Sequence, residues 1–194
     1  YKQYDNFFVP TMIGVRILSM SKKLMNEVMV PAELSGIVIF YQDTDSMHVI
    51  ASQVPLLEDA WRRFNNKGPE EKLIGNDLCQ FHSDFEPING KPTQSCGSIF
   101  LGKKMYIDKL VPKEDMISEQ IKYMTRLKGI PRASMMNSDI EGFSTNDEKK
   151  LWRIYEKLFE GESIEFELVV EKIKMSFTRH LEVQTMNSFR RKAN

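Results

Sequence analysis

Five consecutive apolar residues, Ile37-Val38-Ile39-Phe40-Tyr41, run almost directly into Asp43-Thr44-Asp45-Ser46. The run is too short for a helix, is β-branched and aromatic, and follows Gly36, so it reads as a buried strand. Asp, Thr and Ser then supply turn chemistry, because their short polar side chains bond their own backbone. Met47-His48-Val49-Ile50-Ala51 returns as a second short apolar run. Residues 37–51 therefore predict a β-hairpin with two aspartates near its tip.

Pro10 and Thr11 open a helical pattern in which Ile13, Ile17, Met20, Leu24 and Val28 recur at spacings of three and four. Arg16, Lys22, Lys23 and Glu27 mostly fall elsewhere on the wheel, and Pro31 marks the end. The expectation is an amphipathic helix over 11–30 lying on something apolar.

Further along, Leu57, Ala60, Trp61 and Phe64 mark a second amphipathic helix, closed by Asn65, Asn66, Gly68 and Pro69. Phe81-His82-Ser83-Asp84-Phe85-Glu86 alternates like a half-buried strand, and Asn89-Gly90-Lys91-Pro92 is a turn. Residues 98–110 read as a strand interrupted by Lys103-Lys104. Lys128-Gly129-Ile130-Pro131 is the natural domain boundary, since Gly and Pro punctuate there. Leu151, Ile154, Tyr155, Leu158 and Phe159 form another helical face, stopped by Gly161. Ile164, Phe166, Leu168 and Val170 then alternate as a strand.

Composition sets outer bounds. The 194 residues hold 27 Lys+Arg and 27 Asp+Glu, so the net charge is zero, and a basic nucleic-acid binder or polyacidic chain is excluded as a whole-chain description. Locally the balance breaks: the stretch from Lys172 onward is basic, with Lys172, Lys174, Arg179, Arg190, Arg191 and Lys192 against Glu182. No apolar run approaches the ~20 residues that span a bilayer, and no secretory signal pattern is present. Cys79 and Cys96 lack metal-site spacing and read as free thiols of a reducing compartment, which points to an intracellular protein. The chain opens on Tyr1, not Met, and is expected to be a piece of a longer protein. His48, His82 and His180 are dispersed and receive no chemistry.

The chemistry concentrates at Asp43 and Asp45. Side chains at i and i+2 of an extended chain share a side, which aligns these two carboxylates and turns Thr44 away. Paired carboxylates suit a hard cation such as Mg²⁺ or Mn²⁺, whose shell is completed by water and substrate phosphates. A solvated Asp-rich turn is the competing reading, and both stand on these residues alone.

Tyr41-Gln42-Asp43-Thr44-Asp45-Ser46 resembles the Tyr-x-Asp-Thr-Asp-Ser signature of family B DNA polymerases, the palm motif called motif C. Three segments agree in order. Pro10-Thr11-Met12-Ile13-Gly14-Val15 resembles the helix that leads into motif C in protein-primed members. Lys104-Met105-Tyr106 resembles the Lys-x-Tyr motif that holds the primer strand. Lys128-Gly129-Ile130-Pro131 resembles the Lys-Gly segment near the palm–thumb junction. The resemblance covers most of residues 7–131 and is of the protein-primed branch found in viruses, phages, linear plasmids and transposons.

The resemblance implies an α+β fold: an antiparallel palm sheet carrying the motif C hairpin and backed by helices (1–131), and a small mixed thumb (132–194). It implies that Asp45 ligates metal and that Asp43 supports or ligates it, in a two-metal Mg²⁺ or Mn²⁺ site that joins a deoxynucleoside triphosphate to a primer 3′-hydroxyl. Lys104 and Tyr106 would contact primer backbone. Lys174 and Arg179 belong to the basic C-terminal stretch, which either grips duplex backbone from the thumb or is a solvated tail. The implied partners are primer-template DNA, deoxynucleoside triphosphates, a terminal protein primer and the rest of the polymerase chain, with no membrane. Gln42 departs from the small residues common at its position and leaves the carboxylates intact.

Two family motifs are missing from these residues: Asp-x-x-Ser-Leu-Tyr-Pro, with the second palm carboxylate, and Lys-x-x-x-Asn-Ser-x-Tyr-Gly of the fingers. The 194 residues alone are therefore expected to be inactive, with the metal site completed by a carboxylate outside them. Two other classes compete. A sugar-nucleotide glycosyltransferase also places Asp-x-Asp after a buried strand, but no β-α-β pattern precedes it here. A non-catalytic DNA-binding or assembly module with a dead palm is the other.

Overall fold

The computed structural model describes residues 11–115, 119–145, 147–175 and 181–193, with backbone alone for 169–192. The chain is α+β and divides into two compact units, Tyr1–Ser83 and Asp84–Asn194.

In the first unit, α1 spans Thr11–Leu34, followed by the antiparallel hairpin of β1 (Ile39–Asp43) and β2 (Ser46–Val49). A 3-10 turn, Ala51–Gln53, leads into α2 (Val54–Phe64), which has a proline in its first turn where a missing N–H costs nothing. Val28, Ala32, Ile37, Leu57 and Leu73 form the core, with Ile39, Met47, Val49, Trp61 and Phe81 packed around it.

Helix α1 passes through Pro31 and stops at Leu34, beyond the end expected from sequence. The actual stop is Gly36, at φ +71°. Its N–H donates to Glu33 O at 3.0 Å, and the Ile37 N–H donates to Ala32 O at 2.9 Å. These are the two bonds of a Schellman cap, which needs a residue free to adopt the left-handed conformation. Only the C-terminal part of the helix is covered: Met25, Val28, Pro31 and Ala32 are buried. Ile13, Ile17, Met20 and Leu24, expected on the same buried stripe, are exposed.

The expected strand over Phe81–Glu86 does not form. Phe81 makes one isolated parallel bridge, to Ile74, with its N–H on Leu73 O at 2.8 Å. Alternation without a partner strand gives no ladder, so the segment stays irregular.

In the second unit, Asn89 and Gly90 (φ +51° and +76°) make the two-residue turn expected of Asn-Gly, between bridge partners Ile88 and Lys91. Strands β3 (Thr93–Gly102), β4 (Met105–Pro112) and β5 (Lys122–Leu127) form an antiparallel sheet in that order. Helices α3 (Arg132–Asn137) and α4 (Lys149–Phe159) follow, then the hairpin of β6 (Ile164–Met175) and β7 (Leu181–Ala193). The core gathers Ile107 and Tyr123 from the sheet, Met135 from α3, Leu151, Ile154, Tyr155 and Leu158 from α4, and Ile164, Phe166 and Leu168 from β6. The expected alternation of β6 therefore holds as far as Leu168.

Lys128-Gly129-Ile130-Pro131, read from sequence as a boundary, lies inside this unit. Ile130 belongs to its core, and the Lys128 N–H donates to Lys104 O at 3.0 Å. Gly129 (φ +83°) and Pro131 punctuate a tight turn between β5 and α3, and the compact units divide at Ser83 and Asp84 instead.

Candidate functional site

Asp43 is the last residue of β1 and pairs in register with Ser46, the first of β2. Thr44 and Asp45 make the turn between them. Thr44 sits at φ +54°, which a β-branched residue rarely adopts. The Asp45 N–H donates to Asp43 O at 2.7 Å, closing a three-residue turn, and the Ser46 hydroxyl donates to the same carbonyl at 3.1 Å. The Thr44 hydroxyl donates to Asp43 Oδ1 at 3.1 Å. Asp43 is half-buried and Asp45 exposed.

The i, i+2 alignment expected of an extended chain does not apply here, because the chain turns at Thr44. A compact turn, rather than a strand face, keeps the two carboxylates within one short loop. The base of the hairpin is anchored: Tyr41 is buried, and its ring meets the edge of His48, its register partner, at 5.5 Å and 77°.

Hard carboxylate oxygens on a fixed turn fit a magnesium-class cation, which takes one or two protein carboxylates. Among the described residues, no three His, Cys, Asp or Glu side chains gather to hold a metal ion. Asp43 and Asp45 thus supply two ligands' worth of oxygen without a third acidic partner in the described residues.

Lys104 and Tyr106 belong to the second unit, Asp43 and Asp45 to the first. Lys103 and Lys104 form the turn between β3 and β4, with Lys104 at φ +61° and half-buried. Tyr106, the second residue of β4, is only 9% exposed. It lies opposite Phe100 on β3, ring centroids 6.2 Å apart, and opposite Arg126 on β5. The Lys128 backbone is bonded to that of Lys104, so two segments singled out separately in the sequence meet at one end of the sheet.

Lys174 is a backbone-described residue of β6, in register with Glu182 of β7, and Arg179 lies outside the described residues. The stretch expected to be a grip or a solvated tail is largely strand β7. Its register sets Arg190 opposite Glu167 and Lys192 opposite Glu165.

Sequence reading missed two buried polar groups near these residues. Asp108, two positions along β4 from Tyr106, is fully buried and accepts a bond from the Ser98 hydroxyl on β3. Lys150, at the start of α4, is 2% exposed and donates to Met136 O at 2.8 Å and Ser138 O at 2.9 Å. Both depend on long-range partners that no local pattern announces.

No family model and no solved structure matches this chain. A protein named DNA polymerase from Trichoplusia ni ascovirus 2c is 32% identical over 112 residues, 57% of this chain and 10% of that protein. The chain spans about a tenth of the length of the relative it matches. No helix among the described residues is long and apolar enough to cross a membrane. The partial match supports a relationship to a DNA polymerase.

Proposed function

We propose that these residues are the C-terminal palm and thumb portion of a family B DNA polymerase of the protein-primed type. The observation that carries this reading is the Asp43-Thr44-Asp45 turn, held at the tip of a hairpin in which Tyr41 is buried. The partial likeness to a viral DNA polymerase supports it.

In this reading Asp45 and Asp43 hold divalent cation together with a carboxylate from elsewhere in the polymerase. A bound Mg²⁺ or Mn²⁺ pair supplies charge stabilisation for the attacking and leaving oxygens of nucleotidyl transfer. The hydroxyl of Thr44 orients the Asp43 carboxylate. Lys104 and Tyr106 take the primer strand, Lys104 at backbone phosphate. Deoxynucleoside triphosphates, primer-template DNA and a terminal protein primer are the proposed substrates and partners. The family motif that carries the second palm carboxylate does not occur in these 194 residues, and in this reading they are inactive by themselves.

Primer extension by the full-length parent polymerase carrying Asp45→Ala tests the reading. The expected result is a loss of about a thousandfold or more, equivalent to about 4 kcal/mol of barrier, with the fold retained. Turnover at the parental rate would sink it.

A further inference from the structure

Residues 11–20 of α1 hold six large apolar side chains, Met12, Ile13, Val15, Ile17, Leu18 and Met20, and each keeps between 57% and 83% of its surface exposed. Singly exposed apolar residues need no explanation, but a run of them on one short stretch does. The exposure is not general to the chain. Among the described residues the exposed large apolar side chains all lie in the first unit, Phe159 excepted, whereas the second unit encloses its own core. Farther along the same helix Val28 and Ala32 are enclosed with Ile37 and Leu57. Helix α1 is therefore covered at its C-terminal end only.

These residues do not form one stripe. At 3.6 residues per turn, positions two apart stand about 200° apart around the axis, so Ile13 and Val15 lie on nearly opposite sides. Ile13, Ile17, Met20 and Leu24 share one side, and Val15 and Leu18 share another. Pairing with the same helix of a second copy would need a single narrow seam. A lipid surface would likewise cover one face, and residues 12–20, with Arg16 among them, fall far short of the ~20 apolar residues that span a bilayer. A helix end that is apolar on two sides fits a slot in a larger protein body.

The region matched in the ascovirus DNA polymerase is 10% of that protein, so in that relative the remainder of a long polypeptide is at hand to enclose it. We propose that residues 12–20 of α1 are an intramolecular docking surface, inserted between apolar elements of the same polypeptide that lie outside these 194 residues. Because the C-terminal end of α1 shares its core with Ile37 and Ile39, at the base of the hairpin, seating the other end also sets where the Asp43–Asp45 turn stands in that larger body. The proposal rests on the chain being part of a longer protein, as in the polymerase reading, and not on catalysis at Asp43 and Asp45.

Methionine oxidation by dilute hydrogen peroxide, read by peptide mass mapping, tests this without any substitution, since Met12 and Met20 both sit in the surface. In the native full-length parent both should oxidise at least about tenfold more slowly than in the same protein unfolded in urea, the protection of a side chain reached only through local opening. The protection should persist on dilution to the monomer, followed by sedimentation. In the 194-residue chain both should oxidise near the urea rate. Oxidation of the native parent at the unfolded rate overturns the proposal. So does protection already present in the 194-residue chain, which would place the cover within it. Protection that needs a dimer or added anionic lipid vesicles overturns it as well. Oxidation reads packing and the Asp45→Ala extension assay reads catalysis, so either reading can fail while the other stands.

Discussion

The side-chain amide of Asn65 donates to the backbone carbonyl of Glu27 at 2.8 Å, the carbonyl that Pro31 leaves without its helical donor. Proline has no N–H, so in the interior of a helix the oxygen four residues earlier loses its partner. Asn65 also donates to Trp61 O at 2.9 Å, at the end of its own helix. One amide group thus satisfies a defect in α1 and a terminus in α2, and ties the two helices that back the hairpin.

A double-mutant cycle checks this. Asn65→Ala should cost about 1–3 kcal/mol, at about 0.5–1.5 kcal/mol for each of the two bonds its amide makes. In a Pro31→Ala background the backbone N–H regained at that position bonds the Glu27 carbonyl, and the same change should cost less, with a coupling of about 1 kcal/mol. Urea denaturation measures all four species, and strict additivity would dismiss the compensation.

Thr44 should be replaceable by glycine with a gain. At φ +54° a β-branched side chain is strained, and glycine removes the strain while giving up the bond to Asp43. Thr44→Gly should stabilise by on the order of 0.5–1 kcal/mol, and Thr44→Val, which keeps the strain and loses the hydroxyl, should destabilise. Chemical denaturation of both variants decides it, and a drop in midpoint for the glycine variant would show that the lost bond and the freer unfolded chain outweigh the strain.

Lys150 is a buried cation whose named partners are two backbone carbonyls at the end of α3. Lys150→Met keeps the stem and removes the donors. The expected loss is about 2–4 kcal/mol, because two bonds from a charged donor are lost at once, each worth about 1.5–3 kcal/mol and here at the low end, with neutral partners in part-buried surroundings. An exposed helix-surface lysine changed in the same way should shift stability by less than about 0.5 kcal/mol, so thermal melts of the two variants separate the roles.

Tyr155 sets an alkaline limit. Burial pushes its phenol well above the ordinary value of 10.0, while its hydroxyl donates to Arg126 O at 2.7 Å. Its folded pKa is raised, so near and above pH 10 the unfolded chain releases this proton first. Its contribution to stability is complete below that pH and falls as pH rises further. Tyr155→Phe should therefore flatten the decline of stability between neutral and strongly alkaline pH, and cost about 1 kcal/mol at neutrality from the lost bond. An unchanged pH slope would assign the alkaline limit elsewhere, with Tyr123, also raised by burial, the next candidate.

Local chemistry announced the elements that local chemistry makes. The hairpin was legible in outline from the apolar run and the Asp-Thr-Asp-Ser segment, but its first strand runs Ile39–Asp43 and is only alternately covered, not buried throughout, and the turn narrows to Thr44 and Asp45. Asn89-Gly90 and the Ile164, Phe166, Leu168 alternation were legible in the same local terms. Pro31 misled, because a distant asparagine repairs what it removes. The alternation from Phe81 misled, because a strand needs a partner that the pattern does not contain. Strand β7 was masked by its charge, which its register sets against Glu165 and Glu167 on β6. At the candidate site the identity of Asp43 and Asp45 was legible, and the turn that holds them was not, since i, i+2 alignment assumes an extended chain. Ser98 with Asp108, and Lys150 with the end of α3, meet only through tertiary packing.

The glycine that ends α1 also sets a phase. From the Gly36 cap onward burial alternates: Ile37 and Tyr41 are covered, while Val38 and Phe40 keep about half their surface in water, at 52% and 50%. Asp43 follows in the covered phase and is half-buried, and Gln42 before it is exposed. The residues between cap and carboxylate therefore act as a counter with two states. The register already shifts between Ile39 and Tyr41, where β1 holds one residue more than β2, so a further change of length by one reverses the side to which Asp43 is presented or must be absorbed by a second bulge. Among natural variants of this segment, changes of residue should be common and changes of length by one should be absent.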